Sequence, residues 1–296
     1  NDRMETSVPD IYAAGDAVQV KHYVTGNDAL ISLAGPANKQ GRIIADNICG
    51  GDSRYLGSQG SSVIKVFDMT AATTGINETN AKKSGLEVDT VILSPMSHAG
   101  YYPGGKVMTM KVVFEKESYR LLGAQIIGYE GVDKRIDVLA TVIHAGLKAT
   151  QLKDLDLAYA PPYSSAKDPV NMAGFMIDNI AKGTLKQWHL EDMDKISRDK
   201  SVVLLDVRTV GEFNMGHMDG FKNIPVDELR ERINEIEKGK PVYLICQSEL
   251  RSYIASRILE GNGYETYNFS GGFRFYDAVV NDRALIEKAY ACGMDY

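Results

Sequence analysis

The 296-residue sequence has little cysteine: three in all, Cys49, Cys246 and Cys292, far apart in the chain. They form no CxxC pair and no zinc-ligand spacing, so neither a disulfide framework nor a cysteine-built metal site is expected. Free thiols suit a reducing cytoplasm. No apolar run reaches the roughly 18 residues that a membrane helix needs, and no signal peptide is recognisable. Positive charge is not in excess: 33 Lys and Arg face 39 Asp and Glu, a net charge of -6. That gives no electrostatic footprint for nucleic acid or an anionic membrane. No G-x-G-x-x-G phosphate loop occurs. The opening NDRMETSVPDIYAAGDA has no leading Met and no preceding element, and it reads as beginning inside a domain, as in a fragment. What is present is apolar residues, 44% of the chain, enough for two domains or one large one.

The chain divides into three compositional blocks. Residues 1–50 hold a short strand, Asp10–Ala14, a Gly-Asp turn, and a helix from about Leu30 to Ile48 that stops at Gly50–Gly51. Residues 51–60, GDSRYLGSQG, read as a linker. Residues 61–180 carry a short helix, NETNAKKSG, a strand, VDTVILSP, and two alternating strands, KVMTMKVVFEK and RLLGAQIIGY, joined near Glu117–Tyr119. Helices over about Asp133–Ala145 and VNMAGFMIDNIAKG follow, and this pattern predicts an α+β unit with an antiparallel sheet. After a second linker, 181–192, residues 193–296 alternate strand and helix: VVLLDV, VDELRERINEIEK, VYLIC, RSYIASRILEG, YETYNFSGG. Short apolar strands between helices predict an α/β unit with a parallel, doubly covered sheet.

Cys246 ends the strand VYLI, and a helical pattern begins within five residues. Ligands of open α/β sheets sit beyond the carboxyl ends of the strands. Amides at a helix start can hold an anion, and Arg251 adds a charge that does not titrate away. A cysteine ending a buried strand is also commonly a small hydrophobe. The local pattern therefore leaves two readings, packed thiol and nucleophile.

The surrounding motifs favour the second. LLDVRTVGEFNMGHMDGFKNIP (204–225), LICQSELRS (244–252) and YNFSGGF (267–273) make the third block resemble the rhodanese family over nearly its whole length. The resemblance implies that Cys246 accepts sulfane sulfur as a persulfide. The loop Gln247, Ser248, Glu249 and Leu250 with Arg251 would then hold the anion. Asp206, Arg208, Glu212 and His217 match the family signature as charges that brace the loop. Related phosphatases place five residues between Cys and Arg; here there are four, a smaller ring that suits sulfur. Glu249 stands where the family often has Gly. A carboxylate beside a persulfide is expected to repel it, and Glu tolerates unusual dihedrals less well than Gly.

TSVPDIYAAGDAV (6–18) resembles the second flavin motif of the pyridine nucleotide-disulfide oxidoreductases. The resemblance implies that Asp16 bonds the ribityl chain of FAD, that Gly15 lets the backbone approach, and that Leu33, Ala34 and Gly35 at a helix start face the flavin ring. Asn38, Lys39 and Arg42 are read as a solvated face. SHAGYYPGG (97–105) and LAYAPPYSSAKDPVN (157–171) resemble the dimerisation domain of the coenzyme A-disulfide reductase and NADH oxidase branch. Cysteine-pair reductases carry a catalytic His-Pro in the second segment, but APPYSSAKDP has no His. In the coenzyme A-disulfide branch two tyrosines approach the site across the dimer. They map to Tyr101 and Tyr159, with Tyr102 and Tyr163 as close competitors.

Joined in this order, the pieces resemble coenzyme A-disulfide reductases fused to a rhodanese domain. The implied architecture is a tail of an FAD-binding Rossmann-like domain, an α+β dimerisation domain and a rhodanese-like α/β domain. The implied activity is NADH- or NADPH-dependent reduction of coenzyme A disulfide, coenzyme A persulfide or polysulfide by a cytoplasmic homodimer. The family's NAD-binding region and redox cysteine are not recognisable in this sequence. Two other readings stay open: a sulfurtransferase on a dimer scaffold, and a non-catalytic persulfide-sensing or docking module.

Overall fold

The computed structural model describes residues 1–291; Cys292 and the four residues after it lie outside the described part. The chain splits into two units, one of residues 1–90 and 111–151, the other of residues 91–110 and 152 onward.

In the first unit a small antiparallel pair, β1 (Val20–Lys21) and β2 (Asp28–Ala29), precedes helix α1 (Ala34–Ile48). Strands β3 (Ser62–Val66) and β4 (Met69–Gly75) form a hairpin. Asn77 then caps α2 (Glu78–Lys83) by accepting from the Asn80 amide at 2.8 Å. Strands β5 (Val88–Leu93), β6 (Met108–Glu115) and β7 (Leu121–Gly128) complete a sheet of order β3-β4-β7-β6-β5, whose β3–β4 and β4–β7 pairs are antiparallel; residues 91–93 of β5 and 108–110 of β6 are counted with the second unit. Helix α3 (Val132–His144) turns Val132, Ile136, Leu139, Val142 and Ile143 inward, the 3.6-residue spacing of a helix laid on a sheet. Residues 51–60 have no regular structure but are tied down: Ser53 bonds Asn47, and Gln59 bonds Thr74 and the Ala140 carbonyl.

The second unit contains α4 (Pro169–Ala181), capped by Asp168, whose carboxylate accepts from the Val170 amide. Then come β8 (Gln187–Trp188), α5 (Met193–Ile196), β9 (Val203–Asp206), α6 (Val210–Met215) and β10 (Lys222–Asn223). They are followed by β11 (Val242–Ile245), α7 (Leu250–Glu260), β12 (Thr266–Phe269) and α8 (Gly272–Ala291). The five strands are all parallel, in the order β10-β9-β11-β12-β8. One apolar cluster, with Leu205, Leu244, Ala255 and Leu259, and another, with Trp188, Phe221, Ile245 and Phe269, make up the core around this sheet. The parallel and antiparallel sheets are those the sequence predicts.

Three expectations are corrected. Asp10–Ala14 is not a strand; a single bridge, Glu5 to Tyr12, stands there, and Asp10 takes a left-handed φ of 61°. Helix α1 begins at Ala34 rather than Leu30. VDELRERINEIEK is not a helix but a run of turns with one short 3-10 segment, Ile233–Glu235. There Leu229 and Ile236 are buried and the Tyr264 hydroxyl donates to the Ile233 and Ile236 carbonyls. Tertiary packing overrides the local helical preference. Among the described residues no helix is long and apolar enough to cross a membrane.

A Cβ on Gly123 would collide with the Ile76 carbonyl oxygen and backbone nitrogen. Gly123→Ala is therefore expected to lower stability by roughly 1–3 kcal/mol; thermal denaturation that leaves Tm unchanged would contradict this close packing.

Candidate active site

Cys246 follows β11 directly, and the loop to α7 folds back over it. The thiol is 1% exposed. Two polar groups converge on the sulfur: the Glu249 amide donates at 3.0 Å, and the Ser252 hydroxyl lies at 3.2 Å, its one proton shared between the sulfur and the Glu249 carbonyl oxygen at 3.0 Å. Hydrogen bonds to an anionic acceptor are the strong kind, so this pair is suited to a sulfur that carries charge. The other flank is fixed by the start of α8, whose Phe273 amide donates to the Cys246 carbonyl at 2.8 Å. Gly272, at φ +64°, lies so close that a Cβ there would come within 2.7 Å of the Gln247 carbonyl oxygen. Within the loop, Gln247 is half-buried, Ser248 and Leu250 are exposed, and Glu249 is buried.

Arg251 does not close over the sulfur by itself. Its guanidinium grips Glu212 with two bonds of 2.7 Å. Glu212 also accepts from the Thr209 amide and hydroxyl at the start of α6. Chiefly through Arg251, the Glu212 carboxyl is held down at about 2, and the same pairing raises Arg251 above its ordinary value. Behind this exposed-side pair lies a buried one. Arg208 and Asp206 are 1% and 0% exposed, with the guanidinium Nε and Nη2 on the carboxylate at 2.7–3.1 Å. Arg208 also donates to the Gly216 carbonyl at 2.8 Å, reaches Gln247 Oε1 at 3.4 Å, and stacks on Phe273 at 3.8 Å. His217 stacks on Phe213 at 3.9 Å, with Nδ1 3.1 Å from the Phe213 carbonyl oxygen.

Glu249 corrects the sequence expectation. Its amide faces the sulfur, but its side chain turns to the amide of Gly271, which donates to Oε1. The carboxyl is 4% exposed. Burial pushes its pKa well above the ordinary range, against the smaller opposing effect of the Gly271 bond. Burial favours its uncharged form, and the side chain is turned to the Gly271 amide while the backbone amide faces the sulfur. The expected backbone difficulty is real: Glu249 has φ +83°, a conformation whose cost is of order 1–3 kcal/mol for a non-glycine residue.

Sequence reasoning gave no role to Ser252, Gly271 or Gly272, although they lie within the motifs LICQSELRS and YNFSGGF. The tyrosines of the second unit come together: the Tyr101 and Tyr159 hydroxyls are 2.8 Å apart. The rings are 76% and 44% exposed, and the bond to Tyr101 raises the pKa of Tyr159. Tyr102 instead packs edge-on against His98, and Tyr163 is exposed. In the first unit Gly15 (φ +70°) donates its amide to Gln40 Oε1 at 2.7 Å, and Asp16 is exposed in the turn Gly15–Ala17. Leu33 caps α1 without any side-chain bond to the first-turn amides. Ala34 and Gly35 are exposed there.

The family model for the pyridine nucleotide-disulphide oxidoreductase dimerisation domain matches residues 61–169, and that for the rhodanese-like domain matches residues 189–278. The chain joins these two domains. It is similar to the reduced CoADR-RHD of Bacillus anthracis, with 46% identity and a TM-score of 0.92 over 96% of this chain and 51% of that one. It is similar to an NAD-dependent persulfide reductase from A. fulgidus, with 41% identity and a TM-score of 0.85 over 93% of this chain and 50% of that one. The CoA-dependent NAD(P)H sulfur oxidoreductase of Pyrococcus abyssi is 39% identical over 170 residues, 57% of this chain and 38% of that protein. The chain thus spans about half the length of these solved structures and less than half of that curated relative. The rhodanese-like domain carries Cys246 and its loop; the dimerisation match includes Tyr101 and Tyr159.

Two opposite pH dependences follow. The folded protein keeps a proton on Glu249 that the unfolded chain releases above about 4.5. Stability from this group is complete at lower pH and is lost as pH rises, at up to ~1.4 kcal/mol per pH unit, until the buried acid ionises. Glu249→Gln should remove that decline with rising pH in denaturant titrations run upward from pH 5; an unchanged slope would show that Glu249 is ionised. Glu212, held at about 2, acts the other way: its contribution is present above about 4.5 and is lost as pH falls towards 2. Glu212→Gln should flatten that acid limb alone.

Proposed function

We propose that the whole protein reduces coenzyme A disulfide, coenzyme A persulfide or polysulfide with electrons from NADH or NADPH, and that Cys246 carries sulfane sulfur as a persulfide. The observation that carries the second half is the convergence of the Glu249 amide and Ser252 hydroxyl on the Cys246 sulfur. The relatives' names supply the substrate class, and the dimerisation-domain match supplies the reductase context.

In the transfer step the Cys246 thiolate attacks the outer sulfur of a donor persulfide, R–S–S⁻. The donor's S–S bond breaks, R–S⁻ departs with the electron pair, and Cys246 becomes Cys246–S–S⁻. A coenzyme A thiolate takes the outer sulfur in a second exchange, and neither exchange consumes an oxidant or reductant. The loop amides hold the terminal sulfur anion, and the Glu212–Arg251 pair keeps α6 and α7 at fixed spacing beside it. The Glu249 side chain is turned to the Gly271 amide and burial favours its uncharged form, which eases the approach of anionic donors such as thiosulfate as well as thiol-borne persulfides.

The residues at the start of α1 fit a flavin. Gly15 stands in a left-handed conformation, the α1 amides lack a side-chain cap, and a Cβ on Gly35 would meet nothing within 4 Å. When bound, FAD supplies two-electron transfer between nicotinamide and a thiol–disulfide centre. Asp16 would accept from the ribityl hydroxyls, and the Ala34 and Gly35 amides would face negative charge on the ring. The hydroxyl pair of Tyr101 and Tyr159 would present a proton donor to a departing coenzyme A thiolate across the dimer. Support for a homodimer comes from the apolar side chains that the β3–β4 hairpin and β7 leave exposed, Val63, Ile64, Val66, Phe67 and Ile127. The free thiol of Cys246 and the exposed one of Cys49 suit a reducing cytoplasm.

In the full-length protein, Cys246→Ser should cut sulfur transfer from a persulfide donor to coenzyme A by at least about a hundredfold, because the nucleophile is gone, while NAD(P)H-dependent reduction of coenzyme A disulfide stays near wild type. Equal loss of both would count against a separate sulfur-carrying role for Cys246.

A further inference from the structure

The segment that follows β12 holds the cysteine loop from behind. The Gly271 amide donates to Glu249 Oε1. The Phe273 amide donates to the Cys246 carbonyl at 2.8 Å, and the Arg274 amide to the Gln247 carbonyl at 3.3 Å. Three residues of the loop are thus held by amides of residues 271–274. This clamp begins with two glycines, Gly271 at φ +106° and Gly272 at φ +64°, and glycine has the most freely rotated backbone. It keeps its place only if it is fixed on both sides. On the far side Phe273 stacks on Arg208 at 3.8 Å. On the near side stands Ser270.

Ser270 is buried and has two anchors. Its amide donates to the Trp188 carbonyl at 3.0 Å, a bond that any residue but proline could make. Its hydroxyl oxygen accepts from the Ile92 amide at 3.1 Å. Both residues belong to the second unit. Ile92 lies in β5, the last strand of its sheet, and an edge strand turns part of its amides away from the ladder. Val91, Ile92 and Leu93 are all buried, so water does not satisfy that amide and a protein acceptor is needed. The Ser270 hydroxyl supplies it, and this is the attachment that depends on the side chain at 270.

We infer that Ser270 is a positioning residue for the sulfur-carrying loop: by pinning the Gly271–Gly272 turn to β5, its hydroxyl keeps the Glu249 amide on the Cys246 sulfur. The path is short and continuous, from the Ile92 amide through Ser270, Gly271 and Glu249 to the sulfur. Without the hydroxyl the turn is free to rotate at its glycines, and the Gly271 amide leaves Glu249. The Glu249 backbone, at φ +83°, then loses the side-chain tether that holds it in a costly conformation. Its amide moves off the sulfur, and a charged sulfur loses a donor. Ser270 itself touches no reacting atom, so its effect falls on the rate of transfer and not on donor binding. The inference rests on the persulfide reading of Cys246.

The test is the rate at which Cys246 gains a sulfur atom from glutathione persulfide, followed by intact-mass spectrometry on the whole chain over a range of donor concentrations. Ser270→Ala should lower the limiting rate about tenfold and leave the half-saturating donor concentration within about twofold. Ser270→Thr keeps the hydroxyl and should restore the rate; Ser270→Val, of the same shape without it, should not. Thermal denaturation of each variant separates stability from position: a lower Tm with a wild-type limiting rate would overturn the inference, as would equal rates for the Thr and Val variants. Where the Ala and Val variants do not fold, hydrogen exchange on the wild type decides. Loading Cys246 with sulfur should slow exchange in residues 91–95 as well as in 246–252, and slowing confined to the cysteine loop would overturn the inference. A wild type that takes up no sulfur would sink the persulfide reading and this inference with it, whereas uptake that every Ser270 variant matches would sink the inference alone.

Discussion

The cysteine-loop end of the second unit depends on one buried ion pair, Arg208 with Asp206. Asp206 ends β9, so it is fixed by the parallel sheet. Arg208 extends from it to the Gly216 carbonyl after α6, to Gln247 in the cysteine loop, and to the ring of Phe273 at the start of α8. Two local partners, Asp206 and Gly216, and two distant in sequence, Gln247 and Phe273, meet on one guanidinium. Asn223 adds a second tie by donating to the Asp206 and Arg208 carbonyls. Such a pair stabilises little relative to an apolar replacement, but removing one partner leaves a buried charge unmatched, at a cost of about 3–5 kcal/mol. Its role here is positional: the carboxylate is taken up by Arg208, whose guanidinium reaches the loop at Gln247.

Around that anchor the loop divides its functions between backbone and side chain. The Glu249 amide serves Cys246, and the Glu249 carboxyl serves Gly271. The left-handed backbone at Glu249 allows both at once. Glycine would meet the dihedral requirement at lower strain but would leave the Gly271 amide without this acceptor. The charge that matters at the surface is carried instead by Glu212 and Arg251, which tie α6 to α7.

Much of this was legible from residue order. The parallel strands announced themselves as short apolar runs between helices, and the antiparallel strands as period-two alternation in residues 107–128. Cys246, Arg251, Asp206 and Arg208 could be picked out because several fixed spacings coincide in one motif. Other features were not legible because they depend on distant partners. VDELRERINEIEK has helical composition, yet Tyr264 and the core draw it into turns. The raised pKa of Glu249 comes from its burial, which no local pattern reports. The partnering of Arg251 with Glu212 across 39 residues is likewise a property of the fold.

The central claim is that this loop stabilises a sulfur atom on Cys246. Intact-mass spectrometry after incubation with glutathione persulfide tests it most directly. The account predicts a gain of one sulfur atom per chain, located at Cys246 by peptide mapping and removed by excess thiol. A chain that stays unmodified, or that takes up sulfur at Cys49 but not at Cys246, would contradict it.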